Sequence, residues 1–120
     1  MKANEFRIGN LVFDRRKEVI EVGAVLLTQL ILWQDTHYSK KPPCLFIPLT
    51  EEWLLKFGFG GKGPFTDLHI RTNELEFHWG NNRLNVISYD LGTGIAFNVQ
   101  YVHTLQNLYF ALTGEELTIN

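Results

Sequence analysis

Apolar residues alternate with mostly polar neighbours between positions 68 and 99, and this period-two pattern limits the fold more than any other feature. Alternation over four to eight residues is typical of a half-buried β-strand. A slip of one residue would turn every apolar side chain to the wrong face, so the pattern also constrains strand register. It predicts a four-stranded antiparallel meander over about 66–99. Its apolar residues are Leu68, Ile70, Leu75, Phe77, Trp79, Leu84, Val86, Ile95, Phe97 and Val99.

Turns at 73–74 and 81–82 and a looser connection at 90–93 join the predicted strands. Asparagine suits the positive φ angles of a type I′ turn, which supports the turn at Asn81-Asn82. With these turns, the apolar residues of all four strands share one face. The predicted pairs are Leu68 with Trp79, Ile70 with Phe77, Trp79 with Leu84, Phe77 with Val86, and Val86 with Phe97.

A short helix with signals at both ends is predicted at residues 50–57. Thr50 suits the N-cap position, and two glutamates follow it where carboxylates favour the positive end of the helix dipole. Gly58 suits the left-handed position that ends many helices. Phe59 can then pack back on Leu54, as in a Schellman motif.

The N-terminal third predicts short strands. Strands around 11–14 and 18–22, joined by a turn through three basic residues, form a hairpin. Gly23 interrupts the chain before a third apolar run, Val25 to Trp33, which we interpret as a further strand. Three short twisted strands of this kind resemble the opening of an SH3-like barrel, an analogy of fold alone.

A final helix is predicted from about Val102 to Thr113, where apolar residues recur at helical spacing and Gly114 supplies the stop. Such a helix most simply covers the apolar face of the meander. A chain of 120 residues fits one domain. The predicted fold is therefore a single α+β domain over 1–120: an N-terminal twisted β-hairpin or partial SH3-like barrel, a short helix, a four-stranded antiparallel meander and a covering C-terminal helix.

Composition and charge narrow the class of protein. Hydrophobic residues make up 45% and charged residues 20% of the chain, close to the globular average, which argues against disorder. A net charge of −2 argues against nonspecific capture of nucleic acid or anionic membrane. Cys44 is the one cysteine, and no segment approaches the length of a membrane span. These features predict a cytoplasmic protein without membrane contact.

Two histidines on the polar face of the meander are the weak candidates for a metal site. The register places His69 opposite His78, and two imidazoles about 5 Å apart at Cβ can share a divalent transition metal. Such a site needs further ligands, from Glu76, Asp67 or His103. The alternative is a pair of solvated histidines, which we favour because the spacing matches no recurrent ligand pattern. The sequence therefore predicts neither a metal nor another cofactor.

No residue pattern indicates a catalytic site. Cys44 lies between Pro43 and an apolar run, which favours a buried and inert thiol. The paired glutamates at 51–52 and 115–116 adjoin helix ends and lack a clear apolar environment. The glycine-rich segment 58–63 lacks the Gly-Lys-Ser/Thr ending of a phosphate loop. The sequence thus favours a non-enzymatic role.

Loop aromatics and two basic clusters are the candidate binding residues. Trp33, Tyr38, Phe59, Phe65 and Tyr89 lie at element ends or in loops. Aromatic residues are enriched at protein interfaces and also stack on single-stranded bases, although each ring taken singly is more often part of the core than a contact. The basic residues could contact nucleic acid, but they fall where turns or loops are predicted, and solvated connections are the usual explanation for such clusters. These basic residues are Arg15, Arg16, Lys17, Lys40 and Lys41.

Three segments look familiar together: FRIGNLV at 6–12, IPLTEEWLLKFGF at 47–59 and YVHTLQNLYFALTGEELTI at 101–119. They cover about a third of the chain and resemble a family of small uncharacterised proteins from genomes, prophages and mobile elements of gut Bacteroidetes. The resemblance implies a bacterial or phage origin and a shared fold. It implies no activity and no site residues.

These observations predict a small non-enzymatic protein-binding module of phage or mobile-element origin. Its partner would be an unidentified protein, and homo-oligomerisation stays open. A nucleic-acid-binding accessory protein is the alternative, and a metal-dependent enzyme with its site at His69 and His78 ranks third. The predicted binding residues are Trp33, Tyr38, Phe65 and Tyr89 for a protein, and the five basic residues for a nucleic acid.

Overall fold

A computed structural model of the chain describes residues 6–36, 41–60, 68–72, 75–80, 83–88 and 92–119. It confirms the α+β class, with a two-stranded sheet, a four-stranded antiparallel sheet and three helices in the described residues. The chain divides into two compact units. The first comprises Met1–Pro48 and Tyr101–Glu116, and the second comprises Leu49–Gln100 and Leu117–Asn120. That the whole chain is one domain stays a prediction.

The predicted N-terminal hairpin is confirmed. Strands β1 (Leu11–Phe13) and β2 (Val19–Glu21) pair antiparallel. Asp14 closes the turn between them, because its Oδ1 accepts hydrogen bonds from the backbone N–H groups of Arg16 at 2.8 Å and Glu18 at 2.9 Å. The predicted basic turn is therefore held by an acidic residue.

The predicted third strand is wrong, because Ala24–Asp35 forms a helix, α1. The run is twelve residues long, which is an ordinary length for a helix and too long for a typical strand. Leucine and glutamine also favour helix over strand. Its inward residues, Leu26, Leu27, Leu30 and Trp33, follow helical spacing and pack in or against the first unit's core. Without a third strand, the described residues of this unit form no SH3-like barrel.

A turn before β1 depends on a glycine. The N–H of Asn10 donates to the carbonyl of Arg7 at 3.1 Å, and Gly9 within this turn has a φ of 94°. Gly9 also donates its N–H to the carbonyl of Val22 at 2.8 Å. A positive φ at this position favours glycine, since any other residue would bring its Cβ too close to its own following carbonyl oxygen.

The C-terminal helix is confirmed as α3 (Val102–Thr113), and Gly114 follows it with a φ of 75°. We expected this helix to cover the meander; in the structure it packs on β1 of its own unit. Residues 44–48 run between these two elements. Leu45 exchanges backbone hydrogen bonds with Phe13 at 2.9 Å, and the N–H of Val102 donates to Ile47 at 2.9 Å.

The short capped helix of the second unit is confirmed as α2 (Glu51–Lys56). The Thr50 hydroxyl accepts from the N–H of Trp53 at 3.4 Å. At the other end Gly58 has a φ of 95°. The N–H of Phe59 donates to the carbonyl of Leu54 at 3.0 Å. This is the hydrogen bond of a Schellman motif that spans six residues.

The four-stranded meander is confirmed in order and direction. Its strands are β3 (Leu68–Arg71), β4 (Leu75–Gly80), β5 (Arg83–Ser88) and β6 (Thr93–Phe97), hydrogen-bonded in that order. Four of the five predicted pairs are observed: Leu68 with Trp79, Ile70 with Phe77, Trp79 with Leu84, and Phe77 with Val86.

The fifth pair is wrong by two residues, since Val86 lies opposite Ile95 rather than Phe97. The connection closes sooner than predicted, because the N–H of Gly92 donates to the carbonyl of Ser88 at 2.9 Å and Gly92 has a φ of 63°. A shift of two residues preserves the face on which each side chain lies.

Replacing Gly9 with alanine is expected to lower the free energy of unfolding by about 1–2 kcal/mol, the cost of a left-handed conformation with a Cβ. Added bulk is not the cause, because no atom lies within 4 Å of the site of that Cβ. Gly60→Ala is the matched control, since its surroundings are equally open and its φ is not positive. Urea unfolding checks both variants, and equal losses of stability would contradict this account of Gly9.

Candidate functional site

Several aromatic rings and a histidine pack together in the first unit. Phe6 stacks on His103 with ring centroids 4.6 Å apart, and Phe46 lies 5.3 Å from each of these rings. Trp33 of α1 contacts Phe46 at 5.7 Å. The cluster therefore links α3 to the C-terminal end of α1 through Phe46.

A buried polar junction joins the N-terminal turn to α3. Asn10 is fully buried, and its amide donates to Oδ1 of Asn107 at 2.7 Å. The Asn107 amide donates back to Oδ1 of Asn10 at 3.2 Å. Buried Gln106 accepts from the N–H of Leu11 at 2.7 Å. These bonds supply partners for amide groups that would otherwise be costly to bury.

Arg7 extends this junction towards the surface. Its Nε donates to Asn107 Oδ1 at 2.8 Å, and its two terminal nitrogens contact the Glu116 carboxylate at 2.6 and 3.2 Å. The guanidinium carbon also lies 4.2 Å from the ring centroid of Phe110. A bidentate arginine–carboxylate pair of this kind fixes orientation as well as adding attraction.

A groove of about 320 Å³ lies beside the C-terminal half of α1, and we take it as the candidate site. Thr36 ends the helix here, since its hydroxyl donates to the Trp33 carbonyl at 2.6 Å. The groove thus combines apolar walls with amide, hydroxyl and ammonium groups. Its lining residues are Gln29, Leu32, Trp33, Thr36, Lys41 and Pro43.

The outer face of α1 exposes aliphatic side chains. Leu32, which lines the groove, is 61% exposed, and Val25 is 75% exposed two turns earlier. A helix that is apolar all round is ordinarily buried. Here Leu30 faces the core while these two side chains contact solvent.

The predicted aromatic residues have different outcomes. Trp33 lines the groove, but it is half-buried and also packs against the core. It therefore contributes both to packing and to the surface that a partner could contact. Phe59 is buried, which agrees with its predicted packing on Leu54 and removes it from the loop aromatics that a partner could contact. The burial follows from its place in the Schellman motif, where it can pack on Leu54. Tyr38, Phe65 and Tyr89 lie outside the described residues.

The basic residues lie in the first unit, and two of them approach the groove. Lys41 lines the groove, and the Arg15 guanidinium donates to the carbonyl of Pro42 at 3.4 Å. Arg16 and Lys17 are exposed in the hairpin turn, whereas Lys40 falls in a part of the chain that is not described. The first unit carries seven basic and seven acidic residues, so its clusters do not make it cationic.

The predicted juxtaposition of the two histidines is confirmed. His69 lies opposite His78, with ring centroids 5.5 Å apart, and His78 Nε2 contacts the Glu76 carboxylate. Across the described residues, no three side chains of the metal-binding kind form a group. Metal binding at His69 and His78 is untested, and the favoured interpretation, a pair of solvated histidines, stays a prediction.

Several residues of the site were missed from the sequence. Leu32, Gln29 and Pro43 gave no signal while residues 25–33 were interpreted as a strand. On a helix, positions 25, 29 and 32 share one face, so interpreting the run as a helix would have placed these three side chains together. The polar junction gave no signal in the sequence, although Asn10 and Asn107 each lie within one of the familiar segments.

Cys44 is buried, as predicted, and burial raises the pKa of its thiol from 9.0 to about 11. At pH 8 the folded protein should therefore hold about a hundredfold less thiolate than the unfolded chain, and restricted access should slow the reaction further. Iodoacetamide labelling, followed by mass spectrometry with and without guanidinium, measures this ratio. Equal rates in the folded and unfolded protein would contradict the assignment of an inert thiol.

Comparison with known proteins gives no relative for this chain. No protein-family model matches it, no curated protein matches it, and no solved structure matches its fold. Among the described residues, no helix has both the length and the apolar character that crossing a membrane requires.

Proposed function

We propose that this chain is a small non-enzymatic protein-binding module of phage or mobile-element origin, and that its groove receives a short segment of the partner. The observation that carries the proposal is an exposed leucine beside a half-buried tryptophan and a lysine, in one groove. The phage or mobile-element origin rests on the resemblance of the three sequence segments alone.

A partner that covers the apolar part of the groove would gain free energy from burying it. Burying a leucine side chain fully contributes about 1.5–3 kcal/mol. Leu32 is 61% exposed, so a partner that covers it recovers about half of that free energy or more. Trp33 and Pro43 offer flat apolar surfaces next to it. The volume lies at the lower end of ligand sites, which suits one large side chain.

The polar groups of the groove define the neighbouring chemistry. Lys41 places a cation at the groove, and Gln29 adds an amide that can donate or accept hydrogen bonds. A partner carboxylate next to the inserted apolar side chain would complement this charge and steer the encounter. We therefore expect a partner segment with a bulky apolar residue flanked by aspartate or glutamate.

The groove is also preorganised on one side. Trp33 contacts Phe46, which in turn contacts Phe6 and His103 of the core. A wall that is already ordered loses little side-chain entropy when a partner binds. For the same reason Trp33 is a poor residue to mutate, because its loss would also disturb the core.

A nucleic-acid-binding accessory role is the second candidate. One contact favours it: the hydrogen bond from Arg15 to Pro42 brings a residue of the first basic cluster next to Lys41 of the second. The balanced charge of the first unit weighs against it, since nucleic-acid binders ordinarily present a basic surface.

The test compares Leu32→Ser with Val25→Ser in affinity capture from a lysate of the native cells, quantified by mass spectrometry after nuclease treatment. Leu32→Ser should reduce retention of a specific protein about tenfold, which corresponds to about 1.4 kcal/mol. Val25→Ser is the matched control, since it removes an even more exposed aliphatic side chain from the same helix, away from the groove. Neither variant should change the melting temperature appreciably.

Equal retention by wild type and Leu32→Ser would contradict the groove as the binding site. Equal loss in both variants would indicate adhesion through any exposed aliphatic residue rather than recognition. Capture that disappears on nuclease treatment, with affinity that falls steeply as salt is added, would replace the proposal with the nucleic-acid candidate.

A further inference from the structure

Strand β6 is an edge of the meander. Within the described residues it pairs with β5 alone, so one side of its backbone has no strand beside it. The opposite edge, β3, is partly covered, because Gly60 and His69 exchange backbone hydrogen bonds at 2.8 Å. The two edges of this sheet are therefore unlike each other.

The features that ordinarily protect an edge strand are missing from β6. Charged residues, proline and bulges prevent edges from pairing with other strands. Residues 92–100 contain neither charge nor proline. The pairing with β5 runs from Thr93 to Phe97 without a bulge. By contrast β3 carries His69 and Arg71.

A row of apolar side chains across the sheet is incomplete at this edge. Ile70, Phe77, Val86 and Ile95 lie opposite one another on successive strands. Phe77 is 0% exposed and Val86 is 7% exposed, whereas Ile95 is 63% exposed. The row would be continued by an apolar residue on a strand that pairs with β6.

We propose that β6 pairs antiparallel with β6 of a second copy of this chain, centred on Ile95. The strand spans five residues with Ile95 in the middle. A two-fold axis there sets Ile95 against its own copy, and Gly94 against Ala96. The side chains on each face of β6 would then lie next to small or apolar side chains of the second copy. The two four-stranded sheets would join into one continuous sheet.

A second copy is the occupant because the strand complements itself. An uncharged edge carries no pattern of charges that would select a different protein, and it brings no like charges together when paired with its own copy. A two-fold axis uses the same patch on both subunits, which is the commonest symmetry of protein dimers.

The association should be reversible and concentration-dependent. A five-residue strand is about 17 Å long, and its edge buries less than the roughly 1,200 Å² of a stable interface. Sedimentation velocity over a concentration series should show a wild-type monomer that shifts towards dimer as concentration rises.

Ile95→Lys tests the centre of the interface, because it places two ammonium groups opposite each other. Asn85→Lys is the matched control, since it adds the same charge at an exposed position of the inner strand β5. We expect Ile95→Lys to stay monomeric and Asn85→Lys to associate as wild type does, with melting curves confirming that both fold. A wild type that is monomeric at every concentration would overturn the proposal, as would dimerisation of Ile95→Lys.

Cysteine cross-linking tests the register independently of stability. Ile95→Cys places the two thiols at directly opposed positions, within reach of a disulfide. Ala96→Cys is its neighbour on the other face, but its thiols would be displaced by two residues along each strand and lie beyond disulfide reach. Mild oxidation should therefore link Ile95→Cys and not Ala96→Cys, while wild type with its buried Cys44 stays unlinked. Equal linking of both variants, or of neither, would overturn the pairing centred on Ile95.

Discussion

The hydrogen bonds between Asn10 and Asn107 are the interaction on which the first unit most depends. They join a turn near the N-terminus to a helix almost a hundred residues later. Asn10 is fully buried, so its amide has no access to water and must find its partners within the protein. Gly9 is needed for the same reason, since its positive φ shapes the turn that carries Asn10. Gly9 and Asn10 are thus explained by one requirement, which is to present this amide to α3.

This junction also bears on the candidate site. By fixing the N-terminal turn on α3, it holds Phe6 against His103, and Phe46 then transmits the packing to Trp33. The groove is built on this wall, while Leu32 and Lys41 provide the groups that a partner would contact. Because the groups that would bind a partner lie on a firmly packed wall, the protein could recognise a short segment without a large rearrangement of its own structure. The second unit has a different kind of surface, where the backbone of β6, rather than a groove, would form the contact with a second copy.

The sequence predicted the second unit far better than the first. Alternation with period two specified the meander and most of its register, and local capping signals specified α2, because both depend on neighbouring residues. The first unit depends on contacts between distant residues. The apolar run at 24–35 carries no amphipathic pattern that separates helix from strand, so α1 was missed and the groove with it. Trp33 and Lys41 were named for their residue types, but nothing local indicated that they would meet.

A double-mutant cycle between Asn10→Ala and Asn107→Ala tests the central claim most directly. If the two amides form one buried junction, the loss of either already removes both hydrogen bonds between them. The sum of the losses in free energy of unfolding of the two single variants should then exceed the loss of the double variant by about 1–2 kcal/mol. Losses that add to within about 0.5 kcal/mol would show that the two residues act independently, and the first unit would then not depend on this junction.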